Sequence, residues 1–252
     1  MINISVVSYL NTLPFIFGLK KTDIIHQIKL NLDYPALCAK KLLSNEVDIA
    51  LAPVSILTKH DNLNIISDYC IGSDGEVDTV CLFSNSPIEN IDTIYLDYHS
   101  KTSVQLLKVL LKEYWLSNAK LVKLNDHDAL ILKTNEAELV IGDRAFQKKK
   151  LYNHTYDLSL VWKKMTGMPF VFACWMTNKE LDKFFLESFN FALSSGVDEI
   201  EYVIRNTQDS FSHRGASIRD YLINKISYTF DNNKKQSLSI FLDKIKDLDF
   251  PE

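Results

Sequence analysis

No apolar run in the chain approaches the ~20 residues that a membrane-spanning helix needs; the longest is about Pro169 to Met176. The first lysine is Lys20, and the stretch before it is broken by Asn3, Ser5, Ser8, Asn11, Thr12 and Pro14. It therefore does not read as a basic-then-apolar secretory leader, and a cytoplasmic location is expected, with no membrane partner. None of Cys38, Cys70, Cys81 and Cys174 forms a C-x-x-C pair. Neighbours such as Val80, Leu82, Phe172 and Trp175 predict buried, reduced thiols, as in cytoplasmic proteins. The histidines show no H-E-x-x-H or comparable spacing, which argues against a metal site. A Walker loop, a G-x-G-x-x-G turn and a G-x-S-x-G elbow are also missing, so no cofactor is expected. Excess positive charge is absent: the net charge is -4, and Lys148, Lys149 and Lys150 form the single tight basic run. That run reads as a solvated turn, and no nucleic-acid partner is expected.

What is present is an ordinary globular composition, 46% hydrophobic and 24% charged. It suffices for one large core, or for two small ones sharing a cleft. Ile2 to Val7 reads as a β-branched strand, followed by a polar loop that ends at Pro14. In an open α/β sheet, ligands sit at the carboxyl ends of strands, which makes Asn11 a candidate. Ala36 to Leu43 predicts a helix opened by Pro35, leading into a buried strand, Asp48 to Pro53. The stretch Asn45 to Ala52 resembles Asn135 to Gly142, 90 residues on. Each copy is an acidic turn, an apolar strand and a small residue. That distance is too long for a solenoid repeat and suits two equivalent lobes, each with its own parallel sheet; chance likeness of short units is the plainer alternative. The expected lobes are residues 1–83 with 177–252, and residues 84–176. The crossings are placed at the polar break Ser84 to Pro87 and near Trp175 to Lys179. Later helices are expected around Lys179–Leu193, Ser217–Ile226 and Lys235–Leu248. Leu181, Phe184, Phe185, Ser188 and Phe189 should share the apolar face of the first of these.

Three motifs offer chemistry. Ser100, Lys101, Thr102 and Ser103 open an apolar-faced helix, whose free N–H groups and dipole attract a carboxylate or phosphate; plain N-capping is the other reading. Gly142, Asp143 and Arg144 follow an apolar strand. The glycine permits close backbone approach to a ligand, Asp143 suits a base, a hydroxyl-orienting group or a helix cap, and Arg144 suits a substrate carboxylate or a surface pair. Thr166 to Trp175 sets a Gly-Pro turn before an aromatic strand, where Pro169 and Phe170 suit either an apolar wall for a ring or ordinary core.

Together these motifs resemble the chorismate dehydratases of the futalosine route to menaquinone. The matching stretches are Val7 to Pro14, Leu51 to Ser55, Ser100 to Ser103, Ile141 to Ala145, Thr166 to Trp175, and Tyr221-Leu222 through Ile226-Ser227-Tyr228. The resemblance implies a type-2 periplasmic-binding-protein-like α/β fold, two lobes with a ligand cleft between them. It also implies a lyase that takes water from chorismate to give 3-[(1-carboxyvinyl)oxy]benzoate, without metal or cofactor. It makes Asn11 a hydrogen-bond donor beside the reacting ring and Thr79 its polar partner, where relatives usually carry Ser. It makes Ser100, Thr102 and Ser103 carboxylate ligands, and adds Ser55, Gly142, Asp143 and Phe170 to the substrate-binding set. No strong general base stands out, so a substrate carboxylate is expected to take the proton. The alternatives are a 1,4-dihydroxy-6-naphthoate synthase-like enzyme, whose histidine base would have to be His99, and a non-catalytic small-anion-binding protein.

Overall fold

The structure, a computed structural model, describes residues 1–96, 101–124, 130–211, 217–246 and 248. Its strands are β1 (Ile2–Val7), β2 (Ile28–Asp33), β3 (Ile49–Pro53), β4 (Asn64–Ser73), β5 (Val80–Ser84), β6 (Thr93–Leu96), β7 (Lys120–Lys123), β8 (Glu136–Ile141), β9 (His154–Asp157), β10 (Phe170–Thr177) and β11 (Ser227–Thr229). Its helices are α1 (Leu13–Lys21), α2 (Pro35–Leu43), α3 (Lys101–Glu113), α4 (Ala145–Lys148), α5 (Leu158–Thr166), α6 (Lys183–Asp198), α7 (Ile200–Phe211), α8 (Ile218–Asp220) and α9 (Asn232–Ile245).

The strands form two sheets, ordered β11-β4-β10-β3-β1-β2 and β7-β6-β8-β5-β9. The two follow one plan. In the first, β2, β1 and β3 run parallel and β10 joins β3 antiparallel. In the second, β7, β6 and β8 run parallel and β5 joins β8 antiparallel. The strands that the sequence repeat marks, β3 and β8, are buried along their whole length, as helix-covered parallel strands must be.

In each sheet the antiparallel strand arrives from the other lobe, so the chain crosses twice. Sheet membership corrects the expected boundaries. Val80 to Phe83, assigned to the first lobe, pairs with β8 and β9 in the second sheet. Phe170 to Met176, assigned to the second lobe, pairs with β3 and β4 in the first. The crossings therefore lie at residues 74–79 and just after α5, which ends at Gly167 in the left-handed conformation, φ 75. A fully buried apolar strand carries no local mark of the sheet it joins. The polar break that matters is Asp74-Gly75-Glu76, ahead of β5 rather than behind it.

Helix packing supplies a second correction. On α6 the buried residues are Phe185, Phe189, Ala192, Leu193 and Gly196, whereas Phe184 is 75% exposed. The true face is set by a backbone-close crossing with α1. A Cβ on Gly196 would lie 1.9 Å from the Pro14 carbonyl oxygen, and one on Gly18 would lie 1.9 Å from that of Ala192. Glycine is what lets α1 sit this low. The last helix, α9, reaches over the second lobe: Trp162 of α5 donates from Nε1 to Ser237 Oγ at 3.1 Å, and its ring meets Phe241 edge-on. All four cysteines are buried and unpaired, and burial pushes the Cys38 and Cys70 thiols up to about 12, so they stay protonated and inert. Among the described residues no helix is long and apolar enough to cross a membrane.

Candidate functional site

Between the sheets lies a cleft with about 530 Å³ of space free of protein atoms, open solvent included. Its first-lobe wall is apolar: Val7, Pro35, Pro53, Ile71, Phe172 and Ala173. Val77, Val80 and Ile141 continue it, and Tyr9, Asn11, Thr79 and Ser103 bring the polar side chains. Among the described lining residues there is no Asp, Glu, His, Lys or Arg.

Asn11 reaches the cleft because β1 ends there. The single 3-10 turn Leu10–Thr12 follows, and Pro14 then starts α1. Thr12 pins the turn, its hydroxyl 2.6 Å from the Val7 carbonyl and 2.8 Å from that of Tyr9. Asn11 Oδ1 is buried with no hydrogen-bond partner, an arrangement costing about 1–3 kcal/mol unless something fills it.

Thr79 stands at the end of the first crossing, and that segment is tied down. Asp74 pairs with Lys163 at 2.6 Å, Glu76 with Lys225 at 2.7 Å and Asp78 with Lys149 at 2.8 Å. Asp78 takes the left-handed conformation, φ 62, and its N–H and that of Val77 donate to Asp157 Oδ2 at 2.7 and 2.8 Å. The other oxygen of Asp157 caps α5 through Ser159 and Leu160. Burial pushes the Asp157 carboxyl up to about 6, against the pull of these N–H donors. The Thr79 hydroxyl lies 2.9 Å from the hydroxyl of Tyr221 and donates to the Val77 carbonyl at 3.3 Å. Tyr221 is 2% exposed; burial holds its phenol well above the usual range, although the bond to Thr79 pulls the other way.

The remaining predicted residues divide. Ser103, on the first turn of α3, lines the cleft. Thr102 turns instead to the other lobe, where Ser55 N–H donates to Thr102 Oγ1 at 3.2 Å and that hydroxyl donates to Ser55 Oγ at 3.2 Å. Ser55 and Thr102 thus meet each other. Asp143 makes a similar link, its Oδ1 accepting from Leu10 N–H at 3.4 Å. Gly142 lines the cleft with φ +69, but its N–H donates to the Thr79 carbonyl at 2.9 Å and its open face receives the Tyr9 ring, 2.8 Å from an added Cβ. Phe170 lies in the core, edge-on to Trp162 and Phe241. Its neighbour Phe172, ring centroids 4.8 Å apart, lines the cleft where the β10 register shifts between Val171 and Ala173, as bulges re-aim side chains. Ser100 and His99 lie outside the described residues. Among the described residues no cluster of His, Cys, Asp or Glu could hold a metal ion. Reasoning on the residues alone missed Tyr9, Phe172 and Tyr221. Tyr9, adjoining Asn11, was within reach of it; nothing local in the sequence marks the other two.

A family model described as menaquinone biosynthesis matches residues 2–247. The chorismate dehydratase of Thermus thermophilus is 30% identical over 164 residues, 58% of this chain and 60% of that protein, so the match spans about three-fifths of the relative's length. Among solved structures, a protein of Archaeoglobus fulgidus superposes with a TM-score of 0.72 at 13% identity, covering 97% of this chain and 96% of that one. A Candida albicans protein described as exhibiting the generic periplasmic binding protein structural fold gives 0.60 at 11% identity, covering 97% and 94%. Likeness at such identities is likeness of fold, and the two-lobed periplasmic-binding-protein-like architecture expected from the sequence is the one observed.

Proposed function

The chain belongs to the menaquinone-biosynthesis family, and on that footing we propose that it is a lyase removing water from chorismate to give 3-[(1-carboxyvinyl)oxy]benzoate. The observation that carries the reading is a cleft that is apolar throughout except for a few uncharged hydrogen-bonding groups, Asn11, Thr79 and Ser103 among them. Such a site suits a reaction whose driving force is in the substrate. One ring C–H bond breaks and its electron pair enters the ring; the C–O bond breaks, and the departing hydroxyl takes up the proton that the ring gave to its first acceptor and leaves as water. The ring becomes aromatic and no oxidant or reductant is needed.

The protein has then to hold the dianion, keep water out and stabilise the departing hydroxyl. In this reading Asn11 and Thr79 stand beside the reacting ring as hydrogen-bonding groups. Ser103, with Ser100 beyond it, binds a substrate carboxylate at the positive end of α3. Phe172 replaces Phe170 as the apolar wall. Ser55 with Thr102, and Asp143 with the Leu10 backbone, hold the lobes together over the substrate, while Gly142 gives Tyr9 room to close. The proton goes to a carboxylate of the substrate, in keeping with a described lining that carries no ionisable side chain but Tyr9. The naphthoate-synthase reading, which asks for a histidine base, draws no support from that lining. Work in the cytoplasm fits the four buried thiols.

The test is direct. Purified protein incubated with chorismate should yield the substituted benzoate, lighter by one water, in the mass spectrum. Chorismate bound but returned unchanged would make the chain a binding protein and end the enzymatic reading.

A further inference from the structure

Resting on the dehydratase reading, we infer that Tyr221 is a positioning residue, its buried phenol holding the Thr79 hydroxyl in place beside the substrate's departing hydroxyl. Asn11, Thr79 and Tyr221 come from separate parts of the chain. Asn11 follows β1, Thr79 ends the first crossing, and Tyr221 opens the π-helical turn Tyr221–Lys225, a feature that often accompanies functional sites. Asn11 and Thr79 line the cleft; Tyr221 stands behind them, with its ring edge-on to Phe146 at 5.0 Å.

The hydrogen-bond inventory sets the direction of the chain. The Thr79 hydroxyl donates to the Val77 carbonyl at 3.3 Å. The phenol proton then points to Thr79 Oγ1, 2.9 Å away. The long bond to Val77 is the one that the leaving hydroxyl can take over, and Asn11 Oδ1 remains an acceptor for the substrate. Polarised in series, each donor strengthens the next. The phenol transfers no proton itself; burial holds it in the protonated form.

A tyrosine hydroxyl needing only some partner is the simpler account, since buried tyrosines usually find one. The fold argues against it. Tyr228, 6% exposed, leaves its hydroxyl unpartnered, so this core does not require every phenol to be paired.

The experiment removes only the oxygen. Tyr221→Phe keeps the ring against Phe146 and should lower kcat about tenfold, one hydrogen bond's worth, with KM and Tm close to those of the unaltered protein. In a Thr79→Val background the same change should cost nothing further, because the relay is already cut. Fluorotyrosine at position 221, which keeps the hydroxyl, should restore turnover and separates a chemical role from a folding defect. Unaltered kcat in Tyr221→Phe, or an equal loss in both backgrounds, would overturn the inference while wild-type turnover still upheld the dehydratase. Absence of turnover in the wild type would instead bring down that reading and this one together.

Discussion

The two lobes begin alike and end differently at the cleft. In each, a strand of the parallel core hands over to a helix whose start faces the cleft, β1 to α1 and β6 to α3. In the first lobe a 3-10 turn intervenes and presents a carboxamide, Asn11, with an unpaired oxygen. In the second, the helix itself presents a hydroxyl, Ser103. Their supports differ too. The α1 helix is seated on α6 through backbone contact at Gly18 and Gly196, whereas α3 buries Leu106, Leu107, Leu110 and Leu111. One scaffold thus sets a buried amide oxygen and a helix-start hydroxyl at the cleft, and the proposed reaction would use the first for chemistry and the second for grip.

That division predicts unequal responses to substitution. Asn11→Ala should cut kcat by at least ~100-fold, the scale for losing a group that acts in the transition state, with chorismate still bound in calorimetry. Unchanged turnover would deny the first lobe its chemical role. Gly196→Ala should destabilise by about 1–3 kcal/mol through overpacking, at roughly 2–4 °C of Tm per kcal/mol for a chain of this size. Leu111→Met on α3, a volume-conserving change, should cost less than about 1.5 kcal/mol; equal losses in the two melts would erase the contrast between the helix seats. Ser103→Ala should raise KM about ten- to a hundredfold, with kcat largely kept, as befits one hydrogen bond to a charged group; a fall in kcat alone would move the serine to the reacting side.

The smallest effect is a pH dependence. Asp157 has a folded-state pKa raised by burial to about 6, above the ~4 of an unfolded Asp. The folded state therefore binds its proton more tightly, and this contribution to stability is fully present below about pH 4 and lost as pH rises through about 6. Melts should show the wild type losing Tm relative to Asp157→Asn across that window; parallel profiles would refute the assignment.

Much of the frame could be read in the residues. Pro35 opening a helix, β-branched residues in β1, and the likeness of β3 to β8 all reflect local chemistry that tertiary contacts did not override. The strand allegiances could not be read, because Val80–Ser84 and Phe170–Thr177 are apolar on both faces and would suit either sheet. Phe184 was placed inward by its spacing, yet the glycine seam with α1 turns it outward. In the cleft, Asn11, Ser103 and Gly142 were found, each in a motif with its own local signature, whereas Thr79 came only from the family resemblance. Phe172 depends on a register shift set by a neighbouring strand, and Tyr221 on a meeting with Thr79 that spans most of the chain; neither leaves a trace in adjacent residues.

Thr79 rides on the strap by which the chain passes from one sheet to the other. When a body swings about a pivot, points near the pivot scarcely travel while distant ones sweep wide arcs. Were the lobes to swing about this strap, the Thr79 hydroxyl would move little, and groups carried in the body of a lobe, Ser103 among them, would do the travelling.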